Sequence, residues 1–118
     1  MRPLTIFCDI DGTLVKHNGP TIVCNPDHNL EILEGTREKL AEWDKKGYNI
    51  ILTTGRKESL RNITEKQLES AGIFYDQLVM GIGGGKRILI NDLKEDSKAE
   101  TAIAICLNRN EGILGVDL

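Results

Sequence analysis

Two carboxylates one residue apart, Asp9 and Asp11, stand directly behind the apolar run Leu4-Thr5-Ile6-Phe7-Cys8 and directly ahead of Gly12. A short apolar run reads as a buried strand, and Gly12 allows a sharp turn at its end. The two acids are thereby delivered to the C-terminal edge of a strand, where open α/β sheets build their sites. Side chains two apart on extended backbone point the same way, so both acids face one pocket unless the chain is already turning at Asp11. Like charges that close repel, and they require a cation, a proton or a division of labour. All three suit metal-assisted chemistry on a phosphate. The bland alternative is a polar turn whose Asp side chains only cap backbone amides.

The elements that must position such a pair alternate between strand and helix. Asn18-Gly19-Pro20 lies between Leu14-Val15 and Thr21-Ile22-Val23, the pattern of a small β-hairpin or flap over about residues 14–28. Thr36 reads as an N-cap, Leu40 and Trp43 share one helical face, and Gly47 ends that helix. Residues 48–53 form a second strand, 58–71 a second helix closed by Gly72, and 77–80 a third strand. Gly83-Gly84-Gly85 leads through Lys86 into a fourth strand, Arg87-Ile88-Leu89-Ile90, and residues 101–107 are a fifth. This order predicts a Rossmann-like three-layer sandwich: a mostly parallel five-stranded sheet, helices on both faces, and a flap in place of a cap domain.

Three further signals fall at the ends of those strands. Thr54, followed by Gly55, brings a hydroxyl and free amides to a helix N-terminus, a place that favours an anionic oxygen; an ordinary helix cap explains it equally well alone. Lys86 follows three glycines and offers a point charge to a phosphate, although a lone loop lysine is more often a solvated surface group. Asp92 ends an apolar strand as Asp9 does, with Asp96 just beyond. Hard oxygen ligands from two strand ends suit Mg²⁺, while an Asn-Asp turn is the plainer reading. Their weight comes from falling together.

Composition bounds the class. At 118 residues the chain is one domain, residues 1–118, with 40% hydrophobic and 28% charged residues, ordinary values for a globular protein. A net charge of -3 gives no general electrostatic grip on nucleic acid or an anionic membrane. No run reaches the length of a membrane span, and the N-terminus lacks the apolar core of a signal peptide. Cys8, Cys24 and Cys106 are odd in number and form no C-x-x-C pair. Reduced thiols in a cytoplasmic protein are expected.

With D-I-D-G-T-L at 9–14, T-T-G-R at 53–56, Lys86 and I-N-D-L-K-E-D at 90–96, the chain resembles the haloacid dehalogenase superfamily of phosphohydrolases. The likeness covers nearly the whole chain and departs at Asn91, where many members carry Gly, Ser or a second Asp. It implies that Asp9 is the nucleophile, forming an aspartyl phosphate, and that Asp11 protonates the leaving alcohol and then activates water. Thr54 and Lys86 would hold the transferring phosphoryl oxygens. The Asp9 carboxylate, the Asp11 carbonyl and Asp92 would hold Mg²⁺, with Asp96 a secondary acid. Gly12, Gly55, Arg56 and His17 would lie on the substrate side, Arg56 binding a second anionic group and His17 touching the leaving group. The presence of Asp11 favours phosphate esters over halides, since a departing alcohol needs a proton. Neither gap between motifs holds a cap domain, so the chain looks like a small capless member.

The expected substrate is a small sugar or acid phosphate, because the acidic charge and the scarcity of aromatic residues argue against a polynucleotide. A phosphatase acting on polynucleotide ends, and a catalytically silent binding or regulatory module, are the alternatives. Receiver domains of two-component signalling fit poorly, since the third strand ends at Met80-Gly81 without an acid. Leu14, Val15, Ile22 and Val23 are apolar for an exposed flap, which points to a homo-oligomer with the flap packed on a second subunit, the alternative being that they pack onto their own domain.

Overall fold

The computed structural model describes residues 2–97 and 99–118. Three strands, β1 (Thr5–Asp9), β2 (Asn49–Thr53) and β3 (Gln77–Val79), form one parallel sheet in the order β1-β2-β3. In the register, Asp9 lies opposite Thr53 and Thr53 opposite Val79, so three strand ends share one edge. Between them run a single turn of helix α1 (Pro20–Val23), helix α2 (Thr36–Lys45), and helix α3 (Arg61–Ser70), which a 3-10 turn over Glu58–Leu60 introduces.

Each long helix forms because its apolar residues recur on one face. Thr36, Leu40 and Trp43 are buried along α2, and Thr64 and Leu68 along α3. Gly47 and Gly72 follow the two helices with left-handed φ of 76° and 70°, the conformation that stops a helix with little cost only at glycine. At the start of α2 the cap is Gly35 rather than Thr36. Thr36 is the first helical residue, and its hydroxyl donates instead to the Leu14 carbonyl at 2.7 Å, tying the helix to the turn after β1.

Parallel crossovers are right-handed, so a sheet ordered as its chain carries α2 and α3 on the same face. Cys8, Ile50, Leu52 and Leu78 point into that face and join Leu40, Trp43, Leu68 and Ile73 in one core. The opposite face is open, with Phe7 58% exposed and Val79 also on the surface. The architecture is therefore two layers, not the three expected.

The missing layer follows from the fate of the last two expected strands. Residues 87–90 and 101–107 are not paired strands; Ile90 is 88% exposed, and Ile88, Ile103 and Ile105 are also on the surface. An apolar run makes a strand only when a sheet edge receives it. Here the chain leaves the sheet at Gly83, whose carbonyl lies against Gly55, and returns at Asn110, whose amide donates to the Gly12 carbonyl; the described residues between them form an arm without paired strands. Five expected strands thus become three.

The flap also differs. Thr21-Ile22-Val23 lies in α1, where Pro20 occupies the first turn as prolines favour, instead of forming a hairpin strand. Leu14, Val15 and Val23 are buried in the domain's own core or beneath α1, and only Ile22 remains exposed. The apolar surface proposed to meet a second subunit is therefore internal. No helix among the described residues is long and apolar enough to cross a membrane.

Candidate active site at the edge of the sheet

The turn after β1 is built around one carbonyl. The Ile10 oxygen accepts the amides of Thr13, Leu14 and Val15 at 2.9–3.2 Å, and the Gly12 amide donates to the Val15 carbonyl at 2.7 Å. Gly12 has φ +89°, which few side chains tolerate. This fold-back leaves Asp9 at the sheet edge, with the Thr13 hydroxyl donating to Oδ2 at 3.4 Å. Burial around the carboxyl pushes its pKa up. The Ile10 amide, the charge of Arg87 and the Thr13 hydroxyl pull it down, while Asp11 pushes it further up. Asp9 is exposed at the sheet edge, where its carboxylate is open to a reacting group, and its raised pKa is that of a functional-site acid.

Asp11 turns away from Asp9 toward α3. Arg56 donates to it twice, Nε to Oδ2 at 3.0 Å and Nη2 to Oδ1 at 2.8 Å. The remaining guanidinium nitrogen donates to Gln67 at 2.7 Å and Thr64 at 3.2 Å, and the arginine is 7% exposed. With four of its five N–H donors engaged inside the domain, this buried planar fork is committed to Asp11 and α3 rather than presented to a substrate anion. The sequence placed Arg56 at the mouth of the site; the structure makes it the buried clamp that orients Asp11.

Thr54 stands beside the end of β2, one step past the residue opposite Asp9, and is buried. Its hydroxyl oxygen accepts the Arg56 amide at 3.1 Å. Gly55 is pressed against the returning chain, where a Cβ would lie 2.9 Å from the Gly83 carbonyl oxygen. Gly55 is thus a backbone crossing that a side chain would obstruct. His17 lies near Gly12, with its Cβ 3.7 Å from where a Gly12 Cβ would stand, which brings it to the turn behind Asp9.

On the arm, the charge of Arg87 lowers the Asp9 pKa. Lys86 is exposed on the stretch before it, and Arg87 donates to the Gly85 carbonyl. Asp92 lies far along the arm, where Thr101 donates to its carbonyl oxygen. Among the described residues no three His, Cys, Asp or Glu side chains converge as a metal site would require. The expected Mg²⁺ set differs in kind, with two carboxylates, those of Asp9 and Asp92, and the Asp11 backbone carbonyl. The acids end two different segments, but only β1 reaches the sheet edge.

Sequence reasoning missed the C-terminal return. Asn110 has φ 66°, a left-handed conformation uncommon outside glycine, and its amide donates to the Gly12 carbonyl at 2.8 Å. Its side-chain oxygen accepts the His17 amide at 2.8 Å. Beside it, Arg109 packs its stem on Gly12, with Cγ 3.1 Å from a Cβ built there. The signal was present in Asn108-Arg109-Asn110-Glu111-Gly112, a run rich in residues that tolerate left-handed turns.

Residues 6–111 match the family of haloacid dehalogenase-like hydrolases. Among solved structures, one chain of the Pnkp1/Rnl/Hen1 RNA repair complex is 30% identical over 66% of this chain, with a TM-score of 0.57. A second structure of a Pnkp1/Rnl/Hen1 complex is 29% identical over 73%, also at 0.57. This protein spans only 25% and 30% of those two chains. A Vibrio cholerae protein of similar fold is 20% identical, covering 75% of this chain and 79% of its own, with a TM-score of 0.53. No curated protein matches the chain at a significant level.

Proposed function

The chain belongs to the haloacid dehalogenase-like hydrolases, and from that premise we propose that it hydrolyses phosphomonoesters through an aspartyl phosphate on Asp9. The observation that carries the reading is the Asp9 carboxylate itself. It sits exposed at the edge shared by β1, β2 and β3, accepts the Thr13 hydroxyl, and has a raised pKa that the charge of Arg87 offsets in part. In the proposed reaction an Asp9 oxygen attacks phosphorus, the bond to the leaving oxygen breaks, and the departing alkoxide takes a proton. Water then attacks the acyl phosphate, releasing inorganic phosphate and restoring the carboxylate.

Asp11 is the proposed proton donor and, afterwards, the base that activates water. Held by two Arg56 N–H groups, it must exchange one of them for the leaving oxygen or the water, so Arg56 sets where that proton can be delivered. Thr54 and the amide of Gly55 are proposed to meet the phosphoryl oxygens, and Arg87 to offset their charge where Lys86 was expected. Mg²⁺ belongs to the proposal as a measurable requirement: Asp9 is a hard oxygen donor, and the ion would neutralise charge on the phosphate. The preferred substrate is a small sugar or acid phosphate, in a cytoplasmic setting that three free cysteines suit.

A second reading has its own support. The likeness to a chain of an RNA repair complex at 30% identity favours a phosphate at a polynucleotide end. Hydrolysis of para-nitrophenyl phosphate with and without Mg²⁺, repeated with Asp9→Asn, tests the core of the proposal. Loss of turnover in the folded variant and on chelation is expected. Turnover surviving Asp9→Asn removes Asp9 as nucleophile, and a folded wild-type protein without turnover is a silent module. A panel of phosphorylated metabolites set against 3′-phosphorylated oligonucleotides then separates the two substrate classes.

A further inference from the structure

We infer that Arg109 is the specificity-determining residue of this site, binding a second anionic group that the substrate carries on its leaving-group side. The inference rests on the phosphatase reading above and deepens it. It starts from the charges around the turn after β1. The charge of Asp11 is matched by Arg56 in a buried bidentate pair, and that of Asp9 is opposed by Arg87. Arg109 is a third guanidinium at the same turn. Among the described residues it makes no ion pair and no side-chain hydrogen bond. It is an unpaired cation whose stem lies against Gly12, in the turn that follows the reacting carboxylate.

Its position is built rather than incidental. The Asn110 amide and side-chain oxygen hold the backbone of Gly12 and His17 at 2.8 Å each, and Asn110 adopts φ 66° to do so. Asparagine tolerates the left-handed region better than most residues, and these two hydrogen bonds fix it there. The adjoining Gly112 also has positive φ, and Ile113 is buried while its amide donates to the Glu34 carbonyl at 3.2 Å. The return of the chain is therefore anchored directly after Arg109. Glycine at position 12 lets the arginine stem close onto the turn, because a Cβ there would stand 3.1 Å from Cγ and 3.8 Å from Cδ.

A guanidinium recognises a carboxylate or phosphate through two parallel N–H donors, which an ammonium does not reproduce. The chemistry recognised is a second oxyanion attached to the alcohol that leaves. It has two sources: a small bisphosphate, or the phosphodiester next to a terminal phosphate in a strand. Arg56, the residue the sequence offered for this task, is buried and spends four of its five N–H donors inside the domain, and Arg109 takes its place.

The test compares thymidine 3′-phosphate with thymidine 3′,5′-bisphosphate and a 3′-phosphorylated hexathymidylate. Wild-type kcat/KM is expected to favour the two doubly anionic substrates about tenfold, the value of one charge-assisted contact. Arg109→Ala is expected to bring the ratio near one, and Arg109→Lys to restore part of it, each with an unchanged thermal midpoint. Preference for the bisphosphate alone assigns a small substrate, and preference for the oligonucleotide alone assigns a strand end. A ratio that Arg109→Ala leaves intact overturns the inference, whatever the absolute rates. Binding of the same compounds to Asp9→Asn protein, with and without Arg109→Ala, reads the contact without turnover. Equal affinity in the two proteins overturns the inference even where the phosphatase reading has failed.

Discussion

Two segments of this chain carry nearly the same kind of sequence and meet opposite fates. Residues 49–53, Asn-Ile-Ile-Leu-Thr, are the central strand of the sheet, with Ile50 and Leu52 almost fully buried. Residues 87–90, Arg-Ile-Leu-Ile, are as apolar and as rich in β-branched residues, yet lie exposed on the arm. Local preference does not separate them. What separates them is connection. The strand at 49–53 is delivered by α2 and the Gly47 stop, antiparallel to the helix that has just covered β1, so both of its edges find partners. The run at 87–90 follows three glycines that give its approach no fixed direction, with Gly83 already bound against Gly55 at the C-terminal edge. Pairing is a property of delivery as much as of composition.

The largest expected effect tests the packed side. Trp43→Ala removes a side chain from the middle of α2's buried face and is expected to cost about 4 kcal/mol, read from urea unfolding. A loss below about 1 kcal/mol would mean that the core around β2 is not the cooperative unit.

Next comes the buried fork. Arg56→Met leaves Asp11, Thr64 and Gln67 without their shared donor and is expected to cost about 3 kcal/mol, as breaking a buried pair usually does. Adding Asp11→Asn should return part of it, because the stranded charge has gone. Failure of the double variant to recover would show that Arg56 matters through packing and not through Asp11.

Cysteine chemistry draws the same contrast at smaller amplitude. The Cys8 thiol, on the buried face of β1, is pushed up to about 12 by burial and, secondarily, by the charge of Asp9. A thiol with a raised pKa stays protonated below that value and gains reactivity only as pH climbs toward it, so at pH 8 Cys8 is inert. Cys106 on the arm and Cys24 after α1 are exposed. An aromatic disulfide reagent at pH 8 is expected to titrate these two promptly and the third only after denaturation. Three prompt thiols would place β1 outside a closed core.

The smallest effect belongs to the arm itself. Ile90→Ala is expected to change stability by less than about 0.5 kcal/mol, as an exposed residue should. A cost of 2 kcal/mol or more, typical of a buried isoleucine on the order given for core truncations, would mean that the arm packs against a sheet in solution and would erase the contrast.

The sequence by itself determined much of the site. Asp9 at the end of an apolar run, Gly12 in the turn, Thr54-Gly55 after the second strand, and the stops at Gly47 and Gly72 are all readable because they are local. Each depends on backbone geometry that a residue and its neighbours impose within a few positions. The alternation of strand and helix was legible for the same reason, and it implied a parallel sheet. Tertiary structure alone decided the rest. Which face Asp11 turned to was set by Arg56, a residue forty-five positions away in the chain that is itself buried by Thr64 and Gln67. That the charge of Arg87 reaches Asp9 and that Asn110 carries Arg109 to Gly12 both depend on long-range approach. Apolar periodicity reports that a segment would gain by burial; it carries no information about which surface is in reach to bury it.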